Sequence, residues 1–341
     1  MNGPRFVIEA AEAESMAQQA NLSLLQLLPT LVKSAQDLAR PLISNYHVGA
    51  VGLASDGRIF TGVNLEFIGA PLHHSVHAEQ FLLTNLAVHG APRLLAFAVS
   101  AAPCGHCRQF LQELRHAADL QILITSDQDQ EKDGKPTKDL EKDGKPTKDG
   151  GKDDKPINYK PLISFLPYPF GPFDLLNEQT PLLLEPHNNG LQLQIQALPT
   201  SKNSILCNGH LKSHGKDELL EIAALEAANE SHAPYSGCPS GVALMDCEGE
   251  IYKGFYMESA AYNPSLGPVQ AALVAYMAAG GGGGYERIVA GVLVEREGAA
   301  VRQEDTARMF LKLISPKCEI RVLHCVLGSN GCKRPCDLVC E

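Results

Sequence analysis

From Leu24 to Leu42 the apolar residues recur at the three- and four-residue spacing of a helix with one buried face (LLQLLPTLVKSAQDLARPL). The pattern then changes. VGAVGLASDGRIFTGVNL holds two short strand-like runs on either side of Ser55-Asp56-Gly57, a hairpin signal. FLLTNLAVHG returns to helical spacing and is ended by Gly90. LLAFAVSAA is a short apolar run with small residues, the pattern of a strand buried on both faces. RQFLQELRHAA reads as a second amphipathic helix and LQILITS as a further strand. Helix, hairpin, helix, strand, helix, strand predicts an α/β fold, a sheet with helices layered against it.

Between residues 127 and 160 the apolar pattern stops. EKDGKPTKDL is followed at once by EKDGKPTKDG and a decayed third copy, GKDDKP. Such a stretch has no apolar surface to offset the entropy of ordering, so it is expected to be a disordered surface insertion. Order is expected to resume near Ile163, in ISFLPYPFGPFDLL.

A weaker repeat spans the whole chain. Asn45–Phe67 resembles Gly237–Ser259, with Gly49 matching Gly241, Gly57 Gly249, Ile59 Ile251, Gly62 Gly254 and Glu66 Glu258. The second half therefore repeats the fold of the first. We divide the chain into an N-terminal extension (1–20), a first domain (21–176), a Pro- and Asn-punctuated linker (177–204), a second domain (205–327) and a Cys-rich tail (328–341).

Composition narrows the class. With 341 residues, 44% hydrophobic and 20% charged, the chain suits two globular domains. No apolar run reaches membrane-spanning length, and the N-terminus has neither a basic, apolar leader nor the acid-poor character of a transit peptide. A cytoplasmic protein with no membrane partner is expected, its ten cysteines reduced or bound to metal. A net charge of −10 disfavours a nucleic-acid partner, and the absence of Trp removes one kind of stacking platform.

The chemistry is concentrated in two places, His77-Ala78-Glu79 and Pro103-Cys104-Gly105-His106-Cys107. Zinc takes imidazole nitrogen and thiolate sulfur. Cys104 and Cys107, three apart on a helix, can face one ion, and Pro103 suits a helix's first turn. His77, Cys104 and Cys107 supply three ligands and leave a fourth position for water, whose proton Glu79 could take. In the second half the counterpart of His77-Ala78-Glu79 reads as Pro268-Val269-Gln270, and no Cys-x-x-C follows. Other candidates are weaker. The tail cysteines Cys325, Cys332, Cys336 and Cys340 lack a histidine among them, and Gly280–Gly284 lacks the strand and Lys-Ser/Thr of a phosphate loop. His89, His106 and His116 read as surface or core residues; His73 and His74 are candidates for a pocket mouth.

H-x-E followed by P-C-x-x-C is the signature of the zinc deaminases. Around it VGAVGL, GVNLEFIGA, VHAEQ, PCGHCRQF and PFGPFDLL resemble the cytidine deaminase family, in its two-domain homodimeric form and in family order, from about Leu24 to Leu327. The resemblance implies two tandem three-layer α-β-α domains, the second degenerate and without metal ligands. It implies one Zn2+ per chain, held by His77, Cys104 and Cys107, with Glu79 as proton shuttle. It implies that Asn64 and Glu66 bind ribose hydroxyls, that Tyr46 and Phe170 sandwich the base, and that the Ala78 backbone reads the pyrimidine edge. The implied reaction is hydrolysis of cytidine and 2′-deoxycytidine to the uridine nucleosides and ammonia, in pyrimidine salvage. The alternatives are a deaminase of cytosine in RNA or DNA, and an inactive zinc-binding copy serving as a dimer partner.

Overall fold

A computed structural model describes residues 5–126, 157–193, 213–280 and 284–327. The charged repeat at 127–156, the glycines 281–283 and the tail from 328 lie outside the described residues.

The first sheet has strands β1 (Val7–Ile8), β2 (Gly49–Ala54), β3 (Ile59–Val63), β4 (Leu94–Val99), β5 (Gln121–Ile124) and β6 (Lys160–Pro161), in the order β1-β3-β2-β4-β5-β6. β2 and β3 form the expected hairpin, with Gly57 at φ +86° in its turn. β4 and β5 are parallel. On one face lie helices α1 (Ala10–Ala20) and α2 (Leu24–Gln36). They bury Ala13, Leu28 and Val32 against Val51, Ile59 and Ala98. On the other face lies α3 (Ala78–Val88), buried from Ala78 to Leu86. A helix covered on both sides needs apolar residues all round, which is why its sequence shows little amphipathic contrast.

α2 stops at Gln36, short of the helical pattern's end at Leu42. Ser23 caps its start, accepting from the Gln26 N–H. Pro29 inside it removes the N–H that would bond to the Leu25 carbonyl. The Tyr159 hydroxyl donates to that carbonyl at 2.9 Å instead, tying the chain after the insertion back to this helix. The stretch read as an N-terminal extension is built into the first domain from Phe6 on. Val7 and Ile8 pair with β3, Phe6 stacks on Phe81, and Asn85 Nδ2 donates to the Phe6 carbonyl.

The second sheet holds β7 (Leu191–Leu193), β8 (Ser240–Asp246), β9 (Ile251–Phe255), β10 (Ile288–Arg296) and β11 (Glu319–Leu327), ordered β7-β11-β10-β8-β9. Its helices are α5 (Ser213–Glu230), α6 (Pro268–Ala278) and α7 (Glu304–Ile314). Again the hairpin β8–β9 leads into a parallel pair, β10–β11. α5 covers the outer face over Ala243, Val292 and Val294, and α6 the inner one. The segment read as a linker is partly structural. Leu182 and Leu183 are buried, and β7 closes the edge of the second sheet.

α3 and α6 pack against each other between the sheets, so the inner faces of both domains share one core, which includes Phe81, Leu82, Val269 and Leu273. The contacts repeat across the two halves. Gln80 Nε2 donates to the Pro264 carbonyl at 3.0 Å, and Gln270 Nε2 donates to His74 Nδ1 at 3.2 Å.

Candidate active site

The site forms where α3 and a short helix α4 (Gly105–Phe110) begin. His77 is the N-cap of α3 and Cys104 that of α4, so Pro103 sits just before the helix instead of in its first turn. α4 is shorter than its amphipathic pattern. It tightens into a 3₁₀ turn at Leu111–Glu113 and ends at an extended Leu114.

Three donor atoms converge here. His77 Nδ1 lies 3.4 Å from Cys104 Sγ and 3.3 Å from Cys107 Sγ, and all three atoms lie within 4.8 Å of one another. Two ligands of one tetrahedral zinc, with usual N and S bond lengths, stand about 3.6 Å apart, so the group fits that ion. Glu79 completes the site. It is buried beside the group, and Cys107 Sγ donates to its Oε2 at 3.2 Å. His77, Glu79, Cys104 and Cys107 are thus brought together, as the motif spacing suggests.

Their charges depend on one another. Hydrogen bonds from Cys107 and His77 draw the Cys104 thiol down to about 3. Cys107 is pushed up by the neighbouring Cys104 and then by its own burial. The Cys104 contact raises the pKa of His77. A coordinating dication favours both thiolates at once. Burial raises the carboxyl of Glu79 above its ordinary range, which suits a group that must hold and give a proton.

The residues expected around the substrate are engaged by the protein. Asn64 Oδ1 accepts from the Val48 N–H and its Nδ2 donates to the Tyr46 carbonyl, each at 2.9 Å. Glu66 Oε2 accepts from the Ile43 and Ser44 N–H groups at 2.8 Å, and Oε1 accepts from the Ser44 hydroxyl at 2.5 Å. These bonds hold the loop that carries Tyr46, whose ring is 61% exposed. Ala78 is buried in the first turn of α3. Phe170 is exposed, and its backbone carbonyl accepts from Gln109 Nε2 on α4.

Motif reading leaves out several neighbours. Arg108 donates to the carbonyls of Pro103 (2.7 Å) and Phe165 (3.0 Å), pinning the 165–170 segment to α4. The His106 ring lies 5.4 Å from that of His77, and burial lowers its pKa. Gln80 Oε1 accepts from the His77 N–H. A glutamine three residues after a helix cap is a capping signal, so Gln80 was visible in principle. His74 faces the second domain, and His73 beside it is exposed. They stack on each other, and His74 packs on Phe310.

The second domain's corresponding positions can be read from close contacts. A Cβ on Gly62 would meet Ala78 O and Leu82 N, and one on Gly254 would meet Pro268 O and Ala272 N. Ala78 therefore corresponds to Pro268, His77 to Gly267 and Glu79 to Val269, one residue from the register the sequence suggested. The shared burial of Cys107, Phe110 and Leu111 with Ala307, Phe310 and Leu311 aligns α4 with α7 and sets Cys104 against Glu304. Glu304 joins Glu295 and His324 in a second convergent group, but Arg302 and Arg308 already pair with Glu304, and Arg302 also with Glu295.

The chain matches the family described as the cytidine and deoxycytidylate deaminase zinc-binding region over residues 23–123, and again over 162–308. It is 56% identical to cytidine deaminase 1 of Arabidopsis thaliana, over 95% of this chain and 99% of that one. It is 47% identical to cytidine deaminase 6 of the same plant, over 87% and 91% of the two chains. Its identity to the plant's probable inactive cytidine deaminase 4 is 40%, over 94% and 96%.

Proposed function

The chain belongs to the cytidine and deoxycytidylate deaminase family, and from that premise we propose that it hydrolyses cytidine and 2′-deoxycytidine to uridine and 2′-deoxyuridine, releasing ammonia. The observation that carries this reading is the convergence of His77 Nδ1 and the two thiols with a buried Glu79 in contact. We assign zinc to His77, Cys104 and Cys107, and proton transfer to Glu79. Zinc, when bound, supplies Lewis acidity and lowers the pKa of water at its open coordination position. Glu79 takes a proton from the attacking water and gives it to N3 of the pyrimidine as oxygen bonds to C4. It then carries the second proton to the exocyclic amine, the C4–N bond breaks, and ammonia leaves.

We assign Asn64 and Glu66 to the ribose. A carboxylate offers about four acceptor sites and an amide two donors and two acceptors, so each retains capacity after its protein bonds are made. Tyr46 and Phe170 lie on loops fastened to the site and are assigned to the base faces, and the Ala78 backbone to its polar edge. We place a single zinc per chain in the first domain, because Gly267, Ala307 and Val269 stand where His77, Cys107 and Glu79 would be needed. A homodimer is favoured by the exposed apolar side chains of the first domain, among them Ile43, Tyr46, Ile68, Leu72 and Phe170. We place the protein in the cytoplasm, in pyrimidine salvage; among the described residues no helix is long and apolar enough to cross a membrane.

The test is loss of the cytidine ultraviolet band on incubation with purified protein, with zinc measured on the same sample. Zinc without turnover would mark an inactive copy, and preference for an oligonucleotide over the nucleoside would reassign the substrate.

A further inference from the structure

The two elements that carry the ligand atoms are both fastened to one loop of the second domain, residues 259–265 between β9 and α6. Gln80, buried in the first turn of α3, accepts from the His77 N–H and donates to the Pro264 carbonyl at 3.0 Å. Glu113, in the turn that continues α4, is fully buried. Its Oε1 accepts from the Ala260 N–H at 2.7 Å. Its Oε2 accepts from the Tyr235 hydroxyl at 2.7 Å and from His232 Nε2 at 3.1 Å. Both anchor points, Ala260 and Pro264, thus lie within a few residues of each other. The loop between them is internally bonded: Tyr262 N donates to Ser259 O at 2.8 Å, Ser265 N to Tyr262 O at 2.9 Å, and Ser259 N to Ser265 Oγ at 3.0 Å.

Cohesion alone does not require this arrangement. At the position of α7 that corresponds to Glu113 stands Leu313, a partly exposed apolar side chain near Gly69 of the first domain, where a Cβ would stand 3.3 Å from its Cδ2. A buried carboxylate with three donors is directional, and it is costly to leave partly unmet. It fixes a position, which an exposed leucine cannot do.

We propose that loop 259–265 is a strut, held at Gln80 and Glu113, that sets the spacing between the element bearing His77 and the element bearing Cys104 and Cys107. This rests on the zinc assignment above. It gives the second domain a task in the chemistry of the first. Gln80 and Glu113 are positioning residues, touching neither substrate nor metal.

The test is the rate at which zinc-loaded full-length protein yields its metal to excess chromogenic chelator. Tyr235→Phe removes one of the three donors that hold Glu113 in place against the loop, and Gln80→Leu cuts the Pro264 anchor. Each should release zinc about tenfold faster than the wild type, the scale seen when partners of metal ligands are lost. Leu220→Ala, in the outer core of the second domain, is the control. It should lower Tm at least as far while leaving the release rate at the wild-type value. Equal release rates for Tyr235→Phe, Gln80→Leu and wild type would overturn the strut, as would equally fast release from Leu220→Ala. A wild type that carries no zinc would instead overturn the functional assignment.

Discussion

Gly62 offers a sharp test of how the scaffold sets the site. It lies on β3 directly beneath the first turn of α3. A methyl group there would stand 2.2 Å from Ala78 O, 2.6 Å from Leu82 N and 2.7 Å from Leu82 Cβ. Two of these contacts are backbone, so no rotamer change relieves them. For Gly62→Ala the strand and the helix must part by about 1 Å, and His77 and Glu79 ride on the part that moves. Overpacking of this kind costs about 1–3 kcal/mol. In a unit of this size that is a fall in Tm of about 2–4 °C per kcal/mol. A shift of about 1 Å at a catalytic group costs about 100-fold in rate. Gly241 supplies the control: its Cβ would meet Ala228 N at 2.2 Å, but beneath α5, on the outer face of the second domain. Gly241→Ala should lose similar stability with kcat/KM close to wild type. Gly62→Ala should lose stability, zinc content and about two orders of magnitude in kcat/KM. Melting curves, metal analysis and initial rates on the three proteins decide it. Wild-type kcat/KM in Gly62→Ala, or an equal loss in Gly241→Ala, would refute the reasoning.

Glu79→Gln should keep one zinc per chain while lowering kcat by about 10²–10⁴-fold, as expected for loss of a general acid–base group; metal analysis beside rate measurement checks it. Cys107→Ser should lose both zinc and turnover, and chelation of the wild type should abolish turnover until zinc is returned and lower Tm through the lost binding energy. Glu258→Gln should reduce stability without changing KM, whereas Glu66→Gln should reduce stability and raise KM, because the proposed function places substrate beside the first-domain carboxylate alone. The Arg115 guanidinium holds the Glu185 carboxyl below its ordinary value of 4.5. A depressed folded-state pKa gives stability that is present above the unfolded value and fades as pH falls through the folded one. The melting temperature of Glu185→Gln should therefore fall less steeply than that of wild type as pH drops below about 4.5.

Local patterns carried much of this. The hairpin at Gly57, the buried strand at Leu94–Val99 and the two short motifs that supply the donor atoms are each defined by residues close in sequence, and all could be read. What could not be read depends on the other half of the chain. α4 stops early because Glu113 is drawn into the second domain, and no periodicity records that partner. β1 is two residues long, below any useful period, yet it closes the sheet edge. The one-residue slip in matching the two halves has a simple cause. From Glu66 to Val76 the first domain uses two more residues than the second uses from Glu258 to Leu266, and strand matching alone does not fix where such a difference falls.

The comparison between halves also separates what the scaffold needs from what the chemistry needs. Glu258 accepts from the Tyr235 and Ser236 N–H groups and from the Ser236 hydroxyl, as Glu66 does from Ile43, Ser44 and the Ser44 hydroxyl. Asn45 and Gly237, at matching positions, both have positive φ, 54° and 65°. The second domain keeps this net although glycine, glutamate, alanine and valine occupy the positions that match His77, Cys104, Cys107 and Glu79. The carboxylate therefore has a task that needs no substrate: it turns the loop entering the hairpin and meets backbone donors that would otherwise be unpaired. In the first domain the same net holds the loop that carries Tyr46 and leaves one acceptor direction of Glu66 open. In the proposed function the difference between an active half and a supporting half then rests on four side chains at two helix starts. That is a small chemical change on a repeated backbone, and it explains why the packing between α3 and α6 is closely matched where the chemistry is not.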